Sequence, residues 1–160
     1  MAFQLPFTSS AANLKEGAFF SPGDECLNAI LHSIRSAKHS LHLCVFTISD
    51  DRITAALLET FRKGITIQLV TDNEKLFDKG SDIRALAQAG LTIRVDNTQN
   101  HMHHKFAIID SLWVLTGSYN WTRSAALYNH ENVLITDDKP VVAAYSKEFT
   151  RLWQEMQPFV

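Results

Sequence analysis

The sequence predicts an α/β fold: a mixed, largely parallel β-sheet flanked by helices. Three observations carry this. An apolar helical stripe, a glycine and a short apolar strand occur in that order twice, over 53–70 and 83–95. Such alternation marks a sheet built through crossover helices. Past residue 104 the style changes to short strands joined by tight turns, which adds antiparallel pairs. The chain has 160 residues, 46% of them hydrophobic and 20% charged, the make-up of one globular domain. We expect residues 1–15 to be a flexible arm and 16–160 a single domain.

The elements follow in order. A strand is expected near Ala18–Phe20, and Ser21-Pro22-Gly23-Asp24 supplies turn and cap chemistry. Cys26, Leu27, Ile30, Leu31 and Ile34 are spaced as one helix face. Leu41–Phe46 reads as a strand. Ile53, Leu57, Leu58 and Phe61 mark a second helix, with Asp50 or Asp51 near its cap. It stops at Lys63-Gly64 before the strand 65–70. Ile83, Leu86 and Ala87 give a short helix that Ala89-Gly90 ends before the strand 91–95. In both places glycine supplies the left-handed residue that closes a helix. Lys105–Ile109 and Leu112–Thr116 are separated only by Asp110-Ser111, a hairpin signal. Val133–Ile135 lies in another strand. Val141, Val142, Tyr145, Phe149, Leu152, Trp153 and Met156 form a helical stripe that packs on the core.

The formal net charge is −2. That excludes a protein held on nucleic acid by bulk charge, so phosphate binding must come from a local cluster. Arg52, Arg62, Arg94 and Arg123 are the candidates for such a groove. Two cysteines, Cys26 and Cys44, make no disulfide framework and read as small hydrophobes in a reducing compartment. The first twenty residues hold Pro6 and no basic residue before the apolar part, a poor export signal. A cytoplasmic protein is the expectation.

Chemistry-bearing residues concentrate in His101–Glu131. On a strand, His101, His103 and Lys105 share one face and His104 the other. A neutral imidazole is a competent nucleophile toward phosphorus, because its pKa lies near 6.5. A carboxylate on its second nitrogen fixes tautomer and orientation. Lys105, Asn120 and Ser118 offer donors for non-bridging phosphate oxygens. The bland alternatives are several. His101 and His103 are spaced to hold zinc, but Lys105 on their face repels a cation. His104 reads as a satisfied core or second-layer residue, and His101 as exposed and inert. Trp121 and Tyr119 are placed to stack on bases or to fill the core. Arg123 is a phosphate contact or a solvated surface residue.

The spacing is more specific than the residue types. His103, Lys105 and Asp110 fall in the order HxKxxxxD, followed by Gly117-Ser118, Asn120 and Glu131. This resembles the phospholipase D superfamily, at its small single-motif members: a compact bacterial endonuclease and the Zucchini-like, mitochondrial cardiolipin hydrolase group. The resemblance spans about Ala18 to Trp153 and implies a phospholipase D-like fold. It implies a phosphodiesterase that needs no metal or cofactor. His103 would attack phosphorus to form a phosphohistidine, and a second histidine would protonate the leaving oxygen. Lys105 and Asn120 would grip the phosphate with Ser118 in support, and Glu131 would hold the His103 imidazole. Asp110 would hold the motif rather than react, and Trp121 and Arg123 are added as substrate contacts. One motif per chain supplies one histidine, so the mechanism implies a homodimer with a shared site. The expected substrate is nucleic acid, single-stranded DNA or RNA or duplex DNA. Phosphatidyl lipids such as cardiolipin are the alternative, placed second because a lipid enzyme must reach a bilayer.

Overall fold

The structure is a computed structural model, and it describes residues 13–159. Most of the expected arm, residues 1–12, lies outside that range. One eight-stranded sheet runs through the molecule. In chain order the elements are β1 (Gly17–Phe20), α1 (Glu25–Ser36), β2 (Ser40–Val45), α2 (Asp51–Arg62), β3 (Thr66–Thr71) and α3 (Ile83–Gln88). Then come β4 (Thr92–Val95), β5 (Lys105–Ile109), β6 (Trp113–Gly117), α4 (Arg123–Leu127), β7 (Asn132–Thr136), α5 (Lys139–Glu155) and β8 (Gln157–Pro158). The spatial order is β1-β7-β6-β5-β2-β3-β4-β8.

The mixed sheet agrees with the sequence, but "largely parallel" is corrected. Only β2–β3 and β3–β4 pair parallel, while β1–β7, β7–β6, β6–β5, β5–β2 and β4–β8 pair antiparallel. The two helix–glycine–strand units supply the parallel pairs. The β5–β6 hairpin and β7 fill the other half, since strands joined by short turns must run antiparallel. The short edge strand β8, the 3-10 turn Glu74–Phe77 and α4 carry no pattern long enough to be read beforehand.

Side-chain alternation divides the core in two. Leu41, Leu43 and Val45 of β2 and Ala107 and Ile109 of β5 face α1, α2 and α3. Cys44, Phe106, Ile108 and Val114 face the other way, under Val142, Phe149 and Leu152 of α5. Asp50 caps α2 by accepting from the Arg52 backbone N–H, which satisfies an orphan donor at the helix start. Gly64 and Gly90 hold φ +87° and +105°, the left-handed residues that end α2 and α3. Between β5 and β6, Asp110 and Ser111 hold φ 54° and 57°, as a two-residue hairpin turn with the native twist requires.

Candidate active site

Every strand that bears on the site ends or begins at one edge of the sheet. Phe46 follows β2, Asp72 follows β3 and His103 precedes β5. Ser118 follows β6 and Glu131 precedes β7. In an open α/β sheet the carboxyl ends of parallel strands form the usual crevice, and β2 and β3 both point there. Phe46 N–H donates to His104 O at 2.9 Å and Ser118 N–H to Asn132 O at 3.1 Å, so the loops are tied to each other.

His103 and Lys105 share a face, as alternation predicts. The Lys105 ammonium donates to His103 Nδ1 at 3.0 Å and to the His103 carbonyl at 2.6 Å. Lys105 is buried, and its ammonium stands 5.1 Å from the centre of the Phe46 ring. Burial lowers its pKa, partly offset by the charge of Glu131. Desolvation lowers the His103 pKa too, with Lys105 and His101 adding and Asp72 opposing. The ring is therefore held toward its neutral form near pH 7, the form that attacks. The lysine at Nδ1 can only donate. A neutral His103 in this arrangement carries its proton on Nε2.

Glu131 departs from expectation. The family resemblance puts it on the His103 imidazole, but its Oε2 accepts from Ser118 Oγ and its Oε1 from Asn129 Nδ2 at 3.3 Å. Ser118 Oγ also accepts from the Asn132 backbone N–H at 3.1 Å. The reason is local: Ser118 follows β6 directly beside the start of β7, where Glu131 meets it. Asn120 is half-buried, and its Oδ1 has no hydrogen-bond partner among the described residues. A cavity of about 540 Å³ is lined by His103, Lys105 and Ser118 together with Phe106, Ala144, Tyr145 and Glu148.

Other expected residues fall elsewhere. Asp110 lies at the far end of β5, where its carboxylate accepts from the backbone N–H groups of Lys38, His39 and Ser40 at 2.7–3.1 Å. Trp121 is corrected as a substrate contact: it is 1% exposed inside the main core and cannot stack on a ligand. Its backbone joins Ile48 and Ser49, which pulls the ring inward. Tyr119 is likewise buried. Of the two readings of His104, the core one is excluded: the residue is exposed, with Nε2 3.3 Å from Glu148 of α5.

The expected arginine groove does not assemble. Arg94 bonds the carbonyls of Trp153 and Met156, Arg52 is held by Asp50, and Arg62 ends α2 at the opposite side of the sheet. Arg123 is exposed at the start of α4 and makes no ion pair among the described residues. One group missed from sequence is Asp72 with His101. An acid directly after a buried strand, at the crevice edge, was the available signal. Asp72, Glu74 and His101 bring ligand atoms within 4.8 Å of one another, the one such group among the described residues. Asp72 is already engaged by Glu74 N, Met102 N and His101, so the cluster is internally bonded. No helix of the described residues is long and apolar enough to cross a membrane.

Comparison with known proteins agrees with this geometry. The family described as "Cardiolipin synthase, PLD-like domain" matches residues 30–153. A mitochondrial cardiolipin hydrolase of Xenopus laevis is 45% identical over 135 residues, 84% of this chain and 64% of the relative. The Homo sapiens protein of that name is 38% identical over 136 residues, 85% of this chain and 54% of the relative. The chain thus spans between about half and two thirds of the length of these relatives. Among solved structures, Nuc from Salmonella typhimurium, a phospholipase D family member, superposes with a TM-score of 0.84 at 23% identity, over 91% of this chain and 97% of that one. NucT from Helicobacter pylori gives 0.82 at 25% identity, over 91% and 99%. With the family match over most of the chain and relatives of this similarity, the chain belongs to the phospholipase D superfamily, in its cardiolipin synthase, PLD-like domain family.

Proposed function

We propose that this protein hydrolyses phosphodiesters of phosphatidyl lipids of the cardiolipin class, without a metal ion. The observation that carries the reading is His103, held toward its neutral form beside the buried Lys105, in the lining of a cavity that also includes Phe106, Ala144 and Tyr145. Lys105 and Ser118 in that lining suit a phosphate, and Phe106, Ala144 and Tyr145 suit the apolar part of a lipid. The relatives named as cardiolipin hydrolases support the lipid over the nucleic acid that the sequence placed first.

His103 of one protomer attacks phosphorus through its unprotonated ring nitrogen, freed as Lys105 turns from that nitrogen to a phosphate oxygen, and a P–N bond forms as the P–O bond to the leaving phosphatidylglycerol oxygen breaks. His103 of a second protomer, present as the imidazolium, gives its Nε2 proton to the departing oxygen and is left neutral. That second histidine then takes a proton from water, which attacks the phosphohistidine and frees the first. Lys105 and Asn120 hold the non-bridging oxygens, with Ser118 in support, where charge develops. One chain holds one such set, so a homodimer is part of the proposal. Exposed, unpaired Arg123 supports a second reading, in which the phosphodiester belongs to a nucleic acid.

Cardiolipin vesicles, and single- and double-stranded DNA and RNA, are incubated separately with the protein in excess EDTA. The lipid reading expects phosphatidic acid and phosphatidylglycerol. Oligonucleotide cleavage without lipid turnover would replace it by the second reading. Loss of all activity in EDTA would overturn the metal-free mechanism.

A further inference from the structure

We propose that Asp72 and His101 form a positioning dyad for His103, pinning the segment 101–103 to the sheet end and setting the field in which the His103 ring exchanges its proton. The inference rests on the proposed role of His103. It adds two residues that lie outside the HxKxxxxD spacing.

Asp72 follows directly on β3 and is fully buried. Among the described residues no lysine or arginine pairs with it. Its Oδ1 accepts from the Glu74 backbone N–H at 3.0 Å. Its Oδ2 accepts from the Met102 backbone N–H at 2.9 Å and stands 3.2 Å from His101 Nδ1. A buried carboxylate without a cation is costly unless its oxygens are satisfied. A ring nitrogen facing a carboxylate must therefore present N–H, which fixes His101 as the Nδ1–H tautomer when neutral and leaves Nε2 free.

The same contacts hold the chain beside His103. Met102 lies between the two histidines, with its N–H on Asp72 and its buried side chain in the core under α5. Phe46 closes the other side, its ring centre 5.4 Å from that of His101 and 4.5 Å from that of His103. The two imidazoles are 6.4 Å apart. The other charged or titratable groups facing this spot are Glu74, 3.9 Å from His101 Nδ1, Lys75 and Lys105, 5.2 and 5.1 Å from the Phe46 ring centre, His104, and across a shared cavity Asp96, Glu148, Arg151 and Glu155. His103 thus stands between a lysine that disfavours its protonation and a carboxylate–histidine pair. Asp72 supplies the negative charge that opposes the lysine.

The test follows the ring Cε1–H signals of His103 by NMR across pH, in wild type and Asp72→Asn, with no substrate present. The dyad predicts that Asp72→Asn moves the His103 midpoint further down, because the opposing charge is gone. A purely structural role predicts an upward move, toward the value of a free imidazole, as the segment loosens. An upward or absent shift would overturn the proposal. A second pair keeps the test open if Asp72→Asn does not fold. His101→Asn keeps an N–H for Asp72 near the place of Nδ1–H, whereas His101→Leu fills space without one. The dyad predicts several-fold higher kcat for His101→Asn than for His101→Leu, and equal values would contradict it. A wild-type protein that hydrolyses neither lipid nor nucleic acid would sink the hydrolase reading and leave the NMR result to decide the dyad.

Discussion

Replacing Asp110 by alanine should unfold the protein more readily without removing its chemistry. The carboxylate is held by three successive backbone N–H groups, those of Lys38, His39 and Ser40, across a separation of some seventy residues. It ties the start of β2 to the β5–β6 turn. Hydrogen bonds to a charged group contribute about 1.5–3 kcal/mol each where shielded and less where water competes. This group is partly exposed, so we take about 1 kcal/mol for each of the three donors, or about 3 kcal/mol in all. Alanine also tolerates the left-handed φ of 54° less well than aspartate, which adds to the loss. For a chain of this size about 3 kcal/mol corresponds to a fall in Tm of about 6–12 °C. Burial raises the Asp110 pKa, but the bonds from Ser40, Lys38 and His39 together outweigh it and lower the value overall. The folded pKa thus lies below the unfolded one. The stabilisation is fully present above the unfolded pKa, near 3.9, and is lost as pH falls through the folded pKa. Urea titrations of wild type and Asp110→Ala at pH 7 and pH 3, with kcat measured on the folded protein, check this. The midpoints should differ at pH 7 and converge in acid. A folded, stable and inactive Asp110→Ala would refute the reasoning and return Asp110 to the reaction.

The remaining predictions concern the site and the assembly. The pH profile of kcat/KM should rise as His103 loses its proton, below the usual imidazole value of about 6.5, because its pKa is lowered. Lys105→Met should shift that limb upward as the neighbouring positive charge disappears, along with a large loss of rate. Gly117→Ala should destabilise by about 1–3 kcal/mol in urea, since its Cβ would stand 2.0 Å from the Asn132 carbonyl oxygen where β6 meets β7. Trp121→Ala should cost about 3–5 kcal/mol of stability, as for a large buried aromatic, with no selective effect on KM. When wild type and His103→Ala are refolded together in equal amounts, a shared two-histidine site predicts about a quarter of the wild-type activity, since only the all-wild-type dimer is complete. Independent subunits would retain half.

The sequence made the repeating units legible because their signals are local. A stripe at helical spacing, a closing glycine and a short apolar run are each readable within a dozen residues, and α2–β3 and α3–β4 followed. The hairpin at Asp110-Ser111 was legible for the same reason. Sheet order was not, since pairing β7 with β1 depends on contacts more than a hundred residues apart. His103, Lys105, Ser118 and Glu131 do gather at one sheet edge, as their spacing implied. Which group holds which was decided by strand neighbours. Ser118 captured Glu131, and Lys105 took the Nδ1 expected for a carboxylate. Trp121 was misjudged because an aromatic beside a motif carries the same letters whether it faces ligand or core. Asp72 escaped notice because it is remote in sequence and meets His101 only when β3 lies two strands from β5.

The central claim is that His103 carries the phosphoryl group. Protein mixed with cardiolipin vesicles in excess EDTA is quenched in alkali during turnover, digested, and read by mass spectrometry for a glycerophosphoryl adduct, deacylated by the alkali, on the peptide containing His103. The account predicts an adduct that survives alkali, is lost in acid and is absent in His103→Ala. Lipid turnover with no adduct on His103, or with the adduct on another residue, would contradict it.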